Sequence, residues 1–141
     1  MEKWLRYKIA KKVYYLNKIM HGLDVYYEVT LPETFQFNHP VGTVLGRAKY
    51  SNFLIVHQGV TIGGNMDLVY PNIGRGVILF LGSAVVGNSN IGDNNLISIG
   101  TIVRETNTPC NSIVYNKGSE VSFKPFSWTV IGKFFKKDFI K

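Results

Sequence analysis

The chain has 141 residues, of which 45% are hydrophobic and 18% charged, with one cysteine and a formal charge of +7. That suits one domain with a real core, and a single cysteine excludes an intrachain disulfide or a cysteine-rich metal site and points to a reducing compartment. The basicity sits at the ends (six Lys/Arg against one acid in 1–23, four against one in 133–141, six against seven between them), so the body lacks the basic stripe of a nucleic-acid binder.

Residues 1–22 are expected to form an amphipathic helix. Trp4, Leu5, Ile9, Val13, Leu16 and Met20 recur at helical spacing, lysines fill much of the rest, and Gly22 supplies a stop. Such a helix has three potential partners: its own body, a neighbouring subunit, or a membrane surface. No apolar h-region of a signal peptide and no run long enough to span a bilayer is present. The expected location is cytoplasmic, with peripheral contact at the inner membrane surface left open.

Residues 23–125 carry an internal repeat. Every sixth residue from Ile73 is aliphatic: Ile73, Leu79, Val85, Ile91, Ile97, Val103. A helix of period 3.6 would scatter these positions around its axis. Short strands joined by equal tight corners put one aliphatic per side inward, stacked on its counterpart in the next coil. Glycines and Asn88, Asn90, Asp93, Asn94 and Asn95 suit the corners. Upstream, Val25, Leu31, Phe37 and Thr43 keep the period, and after a five-residue step Ala48, Leu54 and Val60 follow. Residues 63–71 break the phase as a loop thrown out of the stack. Val114, Val121 and Phe123 are read as an irregular continuation, and 126–141 as a helical cap built on Phe134, Phe135, Phe139 and Ile140. A short parallel stack needs capped ends, and an oligomer is expected.

The hexapeptide period resembles that of the left-handed β-helix acyltransferases. His39-Pro40-Val41-Gly42-Thr43-Val44-Leu45-Gly46 is similar to the H-x-x-G-x-V-x-G segment of serine O-acetyltransferases, and Gln58-Gly59-Val60-Thr61-Ile62-Gly63-Gly64 to their Q-G-V-T-[LI]-G-G segment. The resemblance covers roughly residues 22–109. It implies an all-β core wound as a left-handed parallel β-helix with short terminal helices, a homotrimer, and acetyl-CoA as co-substrate held along the coils between subunits. Asp24 lies fifteen residues before His39, the family's aspartate–histidine spacing, and in such a coil these positions fall on nearly adjacent levels.

The implied chemistry is acetyl transfer to a hydroxyl, with His39 as general base and Asp24 as the carboxylate that fixes its tautomer. Read alone, His39 is a corner residue before a proline, and Asp24 a turn residue. Gly63, Gly64, Gly82, Ser83 and Ala84 are candidates for a groove admitting the CoA arm, Lys117 for its phosphates, and Asn38, His57 and Tyr70 for the acceptor. His57 is also the alternative base. Three departures from the family pattern stand out. Asn38 replaces the Asp before the histidine, Val69-Tyr70 replace Arg-His before Pro71, and only one helix precedes the coils. These turn the expected acceptor from serine toward a sugar of a polysaccharide or nucleotide sugar. The competing reading is a non-catalytic β-helix serving assembly or binding. The three dispersed histidines form no metal signature.

Overall fold

The computed structural model describes residues 2–135. Phe139 and Ile140, with the rest of the expected C-terminal helix beyond Phe135, lie outside the described residues. The elements in chain order are α1 (Glu2–His21), β1 (Asp24–Val25), β2 (Phe35–Asn38), β3 (Val44–Leu45), β4 (Lys49–Tyr50), β5 (Leu54–His57), β6 (Thr61–Gly63) and β7 (Asn72–Ile73). They continue with β8 (Ile78–Leu79), β9 (Ala84–Val86), β10 (Asn90–Ile91), β11 (Leu96–Ile97), β12 (Ile102–Arg104), β13 (Ser112–Lys117), β14 (Glu120–Pro125) and α2 (Val130–Phe134).

The strands form three sheets, the sides of a prism. Sheet I has the order β1-β3-β6-β9-β12, sheet II β10-β7-β4, and sheet III β14-β13-β11-β8-β5-β2. Every pairing is parallel except β13 with β14. From β3 onward each coil visits sheets I, II and III in turn, so the hexad aliphatics land on successive sides. Ile73, Leu79, Val85, Ile97 and Val103 are 0% exposed and Ile91 is 4%. Full burial of one such side chain contributes about 1.5–3 kcal/mol, and the stacked columns make this the core.

Upstream, the register differs from the sequence reading. Val25 stacks on Leu45 and that on Ile62, Phe37 on Val56, and Tyr50 on Ile73. The inward column is therefore Leu45, Tyr50, Val56 and Ile62. Thr43, Leu54 and Val60 are also buried, but each lies two residues earlier, Thr43 and Val60 just before β3 and β6 and Leu54 at the start of β5. The five-residue step survives as Leu45 to Tyr50; what the period missed is an insertion at the first crossing from sheet III to sheet I.

The ends also differ from expectation. Val121 and Phe123 do not continue the coil: β14 turns back antiparallel on β13 and forms the edge of sheet III. α2, capped by the Thr129 side chain on the Gly132 N–H, packs on the outer face of sheet III, where Val130 joins Ile55, Ile78 and Leu96. It flanks the stack rather than closing its end.

α1 ends at Gly22, which adopts φ 60° and donates its N–H to Lys18 O at 3.1 Å, as a helix stop in left-handed conformation does. No α1 residue is buried. It meets the body through its polar and aromatic side: Tyr7 against Tyr27, Tyr14 against Tyr26, and the Asn17 amide on Leu23 O. Leu5, Ile9, Val13, Leu16 and Met20 are all more than half exposed; Ile9 and Val13 border a hollow shared with Val25 and Val29 of the body, and the rest of the apolar stripe is left uncovered.

Candidate functional site

The site candidates gather where sheet III hands the chain to sheet I. Between Asn38 and Val44 this crossing takes five residues. One coil on, between their partners His57 and Thr61, it takes three. The surplus is a bulge around His39-Pro40-Val41, closed by the Val41 N–H on His39 O at 2.8 Å and the Thr43 N–H on Pro40 O at 3.1 Å. His39 adopts φ 50°. A residue before proline avoids that region, and a non-glycine there costs on the order of 1–3 kcal/mol. The bulge thus holds a strained residue whose imidazole is exposed at the edge.

Asn38 and His57 are register partners on the outer surface of sheet III. The Gln36 amide Nε2 donates to Asn38 Oδ1 at 2.7 Å, and Asn38 Nδ2 lies 3.4 Å from His57 Nε2. With the amide nitrogen turned this way it donates and Nε2 accepts, which suits a neutral imidazole protonated on Nδ1. Burial lowers the His57 pKa, and so, to a lesser extent, does the nearby charge of His39. On its other side the His57 ring stacks on Phe80, with centroids 5.1 Å apart and planes at 33°. The sequence reading missed the bulge and this Gln36–Asn38–His57–Phe80 column. The two-residue surplus between Phe37 and Leu45 was the available signal for the first.

Asp24 stands on the outer surface of sheet I, paired with Val44, at the foot of the same edge: Gly22 O accepts from Gly42 N at 2.8 Å. Its Oδ2 accepts from Lys18 Nζ at 2.6 Å. That bond, and then the carboxylate's charge, raise the lysine pKa, while burial first and Asp24 second raise that of Tyr14. In this arrangement α1, not His39, holds the Asp24 carboxylate.

The other candidates divide among separate places. Gly82, at φ 66°, occupies the III–I edge above His39 and His57, and Ala84 faces outward on sheet I. The Ser83 side chain is turned inward, 0% exposed and without a hydrogen-bond partner, so it cannot line an outer groove as the sequence reading expected. Gly63, Gly64 and Tyr70 lie at the opposite edge of sheet I, where the 64–71 loop departs. A Cβ on Gly64 would meet the Tyr70 ring at 2.8 Å, so this glycine seats the tyrosine. Lys117 ends β13 at the hairpin turn. One chain therefore assembles Asn38, His39, His57 and Gly82 with Asp24 below them, and leaves Tyr70 and the double glycine a full face away. Among the described residues no group of three His, Cys, Asp or Glu side chains is placed to hold a metal ion, and no helix is long and apolar enough to cross a membrane.

No family model matches the chain. It is 26% identical over 124 residues to a serine acetyltransferase of Synechococcus elongatus, covering 80% of this chain and 51% of that protein. It is 26% identical over 105 residues to one of Staphylococcus epidermidis, covering 72% and 49%. Among solved structures, the coenzyme A complex of serine acetyltransferase from Brucella abortus superposes with a TM-score of 0.76 at 20% identity, over 89% of this chain and 51% of that one. The serine complex of the Neisseria gonorrhoeae enzyme gives 0.71 at 25% identity, over 86% and 49%. The chain spans about half the length of the curated relatives it matches. The prism is thus the hexapeptide-repeat, left-handed β-helix of serine acetyltransferases, and the resemblance seen in the motifs extends to the whole coil.

Proposed function

We propose that this chain transfers an acetyl group from acetyl-CoA to a hydroxyl acceptor, with His39 as general base and Asp24 as its carboxylate partner. The observation that carries this reading is the strained bulge that sets His39 off the edge beside neutral His57. His39 takes the hydroxyl proton as the oxygen attacks the thioester carbonyl. The tetrahedral oxyanion then collapses, the C–S bond breaks, and the imidazolium returns the proton to the leaving thiolate. Asp24 serves by exchanging Lys18 for the imidazolium. The ammonium it gives up is half exposed, so water replaces the lost contact at small cost.

The acceptor is either serine, which the relatives' name specifies, or a sugar hydroxyl; the side chains favour the sugar. Serine is a zwitterion and calls for charges of both signs. The position beside His39 is the neutral Asn38, and Val69 and Tyr70 precede Pro71. Assembly as a homotrimer with acetyl-CoA between copies completes the reading. Tyr70 and Gly64 lie across sheet I from His39, and a neighbouring copy packed edge to edge is what can bring the two sets together.

The test is thiol release from acetyl-CoA, measured with L-serine and separately with simple sugars as acceptors, for the wild type and His39→Ala. The base accounts for a loss of roughly a hundredfold to ten-thousandfold in a variant that keeps its fold. Full activity in His39→Ala removes the histidine from the mechanism. Absence of acetyl-CoA binding by calorimetry favours the non-catalytic assembly module instead.

A further inference from the structure

The outer surface of sheet III carries two columns. The one nearer sheet II is covered: Ile55, Ile78 and Leu96 pack under α2. The one nearer the III–I edge is Asn38, His57, Phe80, Ser98 and Tyr115, which follow one another through the register of β2, β5, β8, β11 and β13. This second column contains no carboxylate and no lysine or arginine. Its middle is the tilted His57–Phe80 stack, partly exposed, and against it lies an open hollow of about 340 Å³ lined by Phe80, Ser98 and Ile99. That is near the lower end of small-molecule sites, which pair apolar and aromatic walls with a few placed polar groups.

We propose that the Phe80 ring, backed by His57 and bordering this hollow, is the platform on which a neutral sugar ring lies while one of its hydroxyls is presented to His39. This deepens the acceptor assignment above and rests on it. A pyranose has a face of C–H groups that packs on an aromatic ring and a rim of hydroxyls that needs amide, hydroxyl and imidazole partners. The column offers both. Phe80 supplies the apolar face, Ser98 a hydroxyl, and Asn38 an amide whose carbonyl is fixed by Gln36. His57 completes the surface only while uncharged, because an imidazolium would lose the Asn38 contact and repel the proton gained by His39. Burial of the ring and the neighbouring histidine both favour the neutral form. Serine has no ring to lay on Phe80 and finds no counter-charge in this column.

The test compares the wild type with Phe80→Leu, which keeps apolar bulk beneath the α2 cluster but removes the aromatic face, and Phe80→Tyr, which restores it. The acceptors are methyl glycosides of glucose, galactose and N-acetylglucosamine, with L-serine in parallel; the readout is thiol release from acetyl-CoA. The expected result is a rise of roughly two- to tenfold in KM for the glycoside in Phe80→Leu, the span of an aromatic contact. The KM for acetyl-CoA and kcat stay unchanged, and Phe80→Tyr returns the wild-type KM. Glycoside acetylation with an unaltered KM in Phe80→Leu overturns the platform and leaves the sugar acceptor standing. Turnover of L-serine with none of any glycoside overturns the sugar acceptor, and the platform with it.

Discussion

Replacing Gly74 with alanine should damage this fold far more than its surface position suggests. Gly74 follows Ile73 on sheet II and has no positive φ, so its backbone conformation does not call for glycine. Its neighbour in the next coil does. A Cβ built there falls 2.7 Å from Ile91 O, 2.8 Å from Gly92 C and 2.7 Å from Asp93 Oδ1, where a relaxed contact needs about 3.5 Å. To make room, two coils must separate where Gly74 N–H donates to Ile91 O at 2.9 Å and Arg75 N–H to Asp93 Oδ1 at 2.7 Å. Overpacking a tight site costs about 1–3 kcal/mol, and a weakened hydrogen bond about 1 more, giving roughly 2–4 kcal/mol. Gly63 is the control: it also has no positive φ, and a Cβ there meets nothing within 4 Å. Gly63→Ala should therefore stay within about 0.5 kcal/mol of the wild type. Urea unfolding followed by circular dichroism, at one fixed protein concentration because an oligomer's stability depends on it, measures both. Equal midpoints for the two variants would refute the claim that coil spacing, rather than corner conformation, requires glycine at Gly74.

Three further outcomes follow from the site. Asp24→Asn should lower kcat while leaving the fold intact, because Asp24 is partly exposed and its side chain meets only α1, at Lys18 and Tyr14; unchanged kcat would take it out of the dyad. Lys18→Ala should preserve or raise kcat by freeing that carboxylate, and a fall as deep as that of Asp24→Asn would show the lysine to be part of the machinery. The His57 pKa is lowered in the folded chain, so below the ordinary histidine value of about 6.5 the unfolded chain binds the extra proton and the folded one resists it. Its contribution is present above that pH and declines as pH falls through it. His57→Gln should flatten the stability profile below about pH 6.5, and an unaltered profile by thermal melts would assign the titration elsewhere.

The hexad aliphatics from Ile73 to Val103, with glycines and Asn/Asp between them, made the prism legible, because that pattern suits a chain that turns a tight corner between one inward side chain and the next. Gly22 marked the end of α1 for an equally local reason. The register before Ile73 was not legible. Two extra residues around His39 shift the inward column from Thr43 to Leu45, and because residues two apart in a strand share a face, both sets end up buried. Which face α1 shows to the body, that α2 covers sheet III instead of the end of the stack, that Ser83 points inward, and that Phe80 lies on His57 were all decided by packing between segments far apart in the chain. Local sequence fixes how each corner turns; only the stacked coils determine which side chains those turns bring together.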